Sequence, residues 1–216
     1  MLPMRKRLRL ILINKELYNM ELVEFILNEE VEDKGVFAIS LVEQPAIEEN
    51  FVYFSKQEQK FATVDNDKRI VLGAVMIPDI PIARVDENGD KYNCFFSKET
   101  IERVVELYMV NSKHQSTTLG HERTINGITT VESWIVADSD KDKSNAYGFS
   151  YPVGTWVACM KIDNEEIWQQ YIKEGKVKGF SIEGYFEQRE TQTKEEATLS
   201  MIREIILNDE IKTVKK

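Results

Sequence analysis

Strict period-two alternation in Lys176–Phe186, KVKGFSIEGYF, constrains this chain more than any other feature. Phe180, Ile182 and Gly184 fall on one face of a strand, and Ser181, Glu183 and Tyr185 on the other. Gly179 and Gly184 flank the serine, so its surroundings lack side-chain bulk and admit a close backbone or a substrate. A hydroxyl in that setting is a candidate nucleophile, but on this stretch alone the default reading is a small polar residue on a half-exposed strand, since a serine alone carries no catalytic information.

The chain has two histidines, and His121 lies in TTLGHERTINGITTVESWIV. Two β-prone runs flank Asn126-Gly127, a dipeptide suited to a tight hairpin turn with positive φ at both central residues. A hairpin centred there sets His121 opposite Glu132, where a carboxylate could hold the imidazole tautomer and stabilise the imidazolium. The same pairing also describes a surface ion pair, and a slip of one residue would carry Glu132 to the other face.

The succession LGHE, VESWIVAD, PVGTWVACMKI, a helix and KGFSIEGYF resembles the capsid maturation (prohead) proteases of tailed phages, most closely a branch of phage serine proteases. Residues 35–55, GVFAISLVEQPAIEENFVYFS, resemble the opening motif of that branch, and the likeness spans roughly residues 35–187. The resemblance implies the herpesvirus assemblin fold, with Ser181 as nucleophile and His121 as base. The family's third residue follows the serine in the chain, which would place an acid between Glu183 and Glu204. Glu183 shares the face of Ser181, whereas Glu132 is favoured by the hairpin register, so both stand as third members. The resemblance further implies scaffold protein and major capsid protein as substrates, a location in the host cytoplasm inside the assembling procapsid, and self-processing, expected within Gln188–Ala197. A homodimer is compatible with it; no metal or organic cofactor is indicated. The rival expectation is a catalytically inactive virion or assembly protein that retains the protease fold.

The bulk properties agree with a globular protein: 216 residues, 42% hydrophobic and 30% charged. A net charge of −9 argues against a general nucleic-acid binder, which needs a basic surface. Cys94 and Cys159 sit in apolar runs without metal spacing and read as buried free thiols. The opening MLPMRKRLRLILIN is too short and too interrupted for a signal or a membrane span, and a soluble protein is expected.

Residues 15–30 carry helical spacing through Leu17, Met20 and Leu27. From Val36 the pattern is mostly β: GVFAISLV, NFVYF, RIVLGAVMIP, and a hairpin of Ile82–Val85 with Lys91–Phe96 around Asn88-Gly89. Lys56–Lys68 reads as a polar loop, and Ser97 caps a helix to about Val110. His114 lies in a polar loop, and Asp138–Ser144 lacks the glycine and terminal glutamate of a calcium loop. Asp163 is the expected N-cap of a helix over Glu165–Lys173, closed by Gly175. A polar linker follows Glu187 and leads to a helix over 195–208. The expected architecture is α+β, a mainly antiparallel β-barrel surrounded by helices. Its divisions are an arm over 1–34, a protease domain over 35–187, and a linker with a C-terminal helix over 188–216.

Overall fold

Alternating and continuously apolar runs pair, in the computed structural model, into three four-stranded sheets. The structure describes residues 22–31, 34–43, 62–65 and 68–190. The first sheet has the order β12-β1-β6-β5, built from β1 (Leu22–Ile26), β5 (Ile82–Val85), β6 (Lys91–Phe95) and β12 (Glu187–Glu190). The second runs β3-β4-β10-β9, from β3 (Ala62–Asp65), β4 (Ile70–Met76), β9 (Ile128–Ile135) and β10 (Trp156–Ile162). The third, β11-β2-β7-β8, contains β2 (Gly35–Val42), β7 (Thr117–Leu119), β8 (Arg123–Ile125) and β11 (Gly179–Tyr185). Pairing is antiparallel except for β1 with β6 and β2 with β7.

The core lies between these sheets. Ile39 and Leu41 of β2 and Phe180 of β11 join Val71 and Val75 of β4 and Trp156, Ala158 and Met160 of β10 in one buried cluster. On the other face of β4 and β10, Leu72, Ala74, Val157 and Cys159 pack with Val136 and Tyr151. Burial on both faces is why these two strands read as near-continuous apolar runs. Helix α1 (Lys98–Val110) covers the main cluster with Ile101, Val104 and Tyr108, and the Tyr108 ring meets Trp156 edge-on at 5.1 Å. Each such side chain contributes about 1.5–3 kcal/mol on burial. As expected, Ser97 caps α1, its Oγ accepting the Thr100 N–H at 3.3 Å.

Several expectations are corrected. Among the described residues, the closed barrel with encircling helices that the assemblin-like expectation called for does not form. Among the described residues there are three open sheets and two short helices, α1 and α2 (Glu165–Ile167), the latter continuing into a π-helical turn at Trp168–Ile172. A barrel needs every edge strand to find a partner, and here β5, β12, β3, β9, β8 and β11 each end a sheet. Where 15–30 was expected to be helical, residues 22–26 form β1; it draws its hydrogen bonds from β6 and β12, a non-local choice that helical spacing does not reveal. Strand β3 replaces part of the expected 56–68 loop, and β12 replaces the start of the linker after Glu187. Asn164, rather than Asp163, caps α2, its Oδ1 accepting the Ile167 N–H at 3.1 Å. The expected strand NFVYF and the helix over 195–208 lie outside the described residues.

Candidate active site

The outer face of the third sheet carries a row of hydroxyl side chains. Alternation sends Ile39, Leu41, Phe180 and Ile182 toward the core, and so turns Ala38, Ser40, Ser181 and Glu183 to the opposite face. Cα pairing sets Ser181 beside Ser40 across β11–β2, and Ser40 beside Thr118 across β2–β7. Thr118, Ser40 and Ser181 therefore form one line across three strands. Glu183 lies next to Ala38 one step along. The small side chains of Ala38 and Ser40 on the central strand leave room for the longer Glu183 to cross β2 toward β7.

His121 sits at the tip of the β7–β8 hairpin. Gly120 and His121 both take φ of 62°, and the Glu122 N–H closes the turn on the Leu119 carbonyl at 3.1 Å. Positive φ is routine for glycine but uncommon for histidine, and a residue so held marks a place where surrounding contacts over-determine the backbone. Two such contacts come from β2: the Gly120 N–H donates to the Leu41 carbonyl at 2.9 Å, and the His121 N–H donates to Ser40 Oγ at 3.0 Å.

These placements bring His121 to Glu183. Its Nδ1 lies 3.1 Å from Glu183 Oε1, and the same carboxylate oxygen accepts a short hydrogen bond from the Thr118 hydroxyl. An ionised carboxylate can only accept, so the bond requires the proton on Nδ1 and leaves Nε2 of a neutral imidazole free to take another. The His121 side chain is 41% exposed and that of Glu183 20%, so the imidazole faces solvent while the carboxylate is largely covered. Among the described residues, no hydrogen bond joins Ser181 Oγ to His121; such bonds are often long before substrate binds.

The hairpin register that set His121 opposite Glu132 is not the one formed. Strand β8 pairs with β7, while β9 pairs with β10, where Glu132 stands beside Cys159. The Asn126-Gly127 turn is thus a corner between two sheets rather than a hairpin tip. Gly127 has φ of 76°, its carbonyl accepts from the N–H groups of Asp163 and Asn164, and a Cβ there would come within 3.2 Å of Asn164 N. The carboxylate of Glu132 binds the Lys143 ammonium and accepts from Cys159 Sγ at 3.6 Å. Burial, reinforced by Glu132, pushes the Cys159 thiol up to about 12, far from a reactive thiolate. Both cysteines are free and buried.

His114 occupies a short helical turn, Lys113–Gln115, and Asp138–Ser144 is a loop in which Asp142 caps the next turn and accepts from Trp134 Nε1 at 3.0 Å. No cluster of metal-ligating side chains occurs among the described residues. The sequence reading missed Ser40 and Thr118. The signal for Ser40 was present: it is the one polar residue in GVFAISLV and fully buried.

Residues 57–190 match the family model described as "Putative phage serine protease XkdF". No curated protein and no solved structure matches the chain.

Proposed function

This chain belongs to that family of phage serine proteases, and from this membership we propose that it is a serine endopeptidase acting through Ser181, His121 and Glu183. The observation that carries the proposal is the His121 Nδ1–Glu183 Oε1 contact of 3.1 Å, with Ser181 two residues along the same strand face. In this scheme Ser181 Oγ bonds to the carbon of a peptide carbonyl as His121 Nε2 takes its proton. The peptide C–N bond then breaks, the proton passes from His121 to the leaving amine, and water resolves the acyl-enzyme by the same route. Glu183 holds the Nδ1 proton and stabilises the imidazolium.

The substrates proposed are scaffold protein and the N-terminal part of the major capsid protein, cut inside the assembling procapsid in the host cytoplasm. Self-processing is proposed within Gln188–Ala197. Family membership and the resemblance of the motifs support these assignments.

Co-expression with the neighbouring capsid and scaffold genes, read by intact mass, tests the scheme. Wild type should process its substrates; Ser181→Ala and His121→Ala should not. Glu183→Gln should slow processing by about 100- to 10,000-fold, as loss of a partner that orients the base does, while Glu132→Gln should process normally. Processing that survives Ser181→Ala would overturn the mechanism. Unprocessed particles with wild type would favour the inactive assembly protein, a reading consistent with the unmade Ser181–His121 bond.

A further inference from the structure

Two side chains outside the proposed triad touch its members. Thr118 is 8% exposed, and its hydroxyl donates to the Glu183 oxygen that also meets His121. Ser40 is fully buried, and its hydroxyl accepts the N–H of His121 at a positive-φ backbone position. They stand side by side on β7 and β2, in line with Ser181. A glutamate side chain has three rotatable bonds, and one contact with a half-exposed imidazole does not by itself hold its carboxylate in a single place. A second donor on the same oxygen, fixed to a strand, selects the rotamer that faces the histidine. The histidine's backbone needs its own restraint, because nothing intrinsic to the residue favours φ of 62°.

We propose that Thr118 and Ser40 are positioning residues: the Thr118 hydroxyl holds the Glu183 carboxylate against His121, and the Ser40 hydroxyl anchors the His121 backbone over the sheet. The proposal rests on the catalytic scheme above for its effect on rate, but its structural half can be read without turnover. The two hydroxyls act through other groups and touch no reacting atom in this scheme. They explain why a three-residue strand and a strained turn suffice to place a general base.

The test compares wild type with Thr118→Val, which keeps the shape and removes the donor, Thr118→Ser, which keeps the donor, and Ser40→Ala. One readout is the limiting rate of Ser181 modification by a fluorophosphonate, with its apparent affinity determined separately. The other is the downfield proton NMR resonance of the His121 Nδ1–H, assigned by its loss in His121→Ala. Thr118→Val should lose the resonance and slow modification roughly 10- to 100-fold at unchanged affinity, the effect of one hydrogen bond to a charged group. Thr118→Ser should restore both, and Ser40→Ala should slow modification several-fold. Thr118→Ala serves the same comparison should the valine variant fail to fold. A Thr118→Val protein that keeps both the rate and the resonance would overturn the proposal. If wild type is not modified at Ser181, the catalytic scheme fails, and the resonance alone still decides whether Thr118 positions Glu183.

Discussion

Gly184→Ala should destabilise the protein by about 1–3 kcal/mol, the usual cost of forcing one methyl into a filled space. Gly184 follows Glu183 at the point where the β11–β2 register shifts. A Cβ on Gly184 would lie 2.6 Å from the Gly35 carbonyl oxygen and 2.7 Å from Phe186 Cε2. Neither neighbour can yield easily. The Gly35 oxygen is backbone, and the Phe186 ring is held edge-on to Phe96 at 4.9 Å and stacked on Phe25 at 6.1 Å. Relief requires a separation of about 0.8 Å or more between β11 and β2, to reach ordinary contact distance. At about 2–4 °C per kcal/mol for a chain of this size, the melting temperature should fall by about 2–12 °C. Because Glu183 is the adjacent residue, the rate of Ser181 modification should fall as well. Thermal unfolding followed by circular dichroism measures the first effect and fluorophosphonate labelling the second. A Gly184→Ala protein that melts within about 1 °C of wild type would refute the idea that a close backbone approach demands glycine here.

Tyr151→Phe should cost about 1–3 kcal/mol in urea unfolding, because the Ala74 N–H donates to Tyr151 Oη at 3.2 Å in the buried second cluster and would lose its partner among the described residues. Alkaline pH should destabilise the fold. Burial raises the thiols of Cys94 and Cys159 above their ordinary 9.0 and the phenols of Tyr108 and Tyr151 above 10.0. The folded protein then holds protons that the unfolded chain releases, so stability is fully present below about pH 9 and declines as pH rises. Each group adds up to about 1.4 kcal/mol per pH unit until its folded value is passed; a urea midpoint constant from pH 8 to 11 would contradict this. By the same burial, iodoacetamide at pH 8 should leave both thiols unmodified in the native protein and modify both in urea, counted by mass.

What could be read along the chain was whatever depends on near neighbours. The alternation of Lys176–Phe186 identified the strand that carries Ser181 and Glu183 on one face. Turn chemistry at Asn88-Gly89 identified the β5–β6 hairpin, and Ser97 identified the start of α1. Partner choice was not legible, because a strand's hydrogen bonds go to residues far away in sequence. Residues 22–26 have helical spacing yet become a strand between β6 and β12. The Asn126-Gly127 turn keeps positive φ at Gly127 but not at Asn126, so the tight turn with both central residues at positive φ does not form, and β9 pairs with β10 instead of β8. That single decision moves Glu132 to Lys143 and Cys159 and leaves His121 at the tip of a different hairpin. The sequence by itself determined which residue types were available on each short face. Tertiary pairing decided that the carboxylate beside His121 is Glu183, because only strand order across β11, β2 and β7 brings residues 118, 121 and 183 within hydrogen-bond reach.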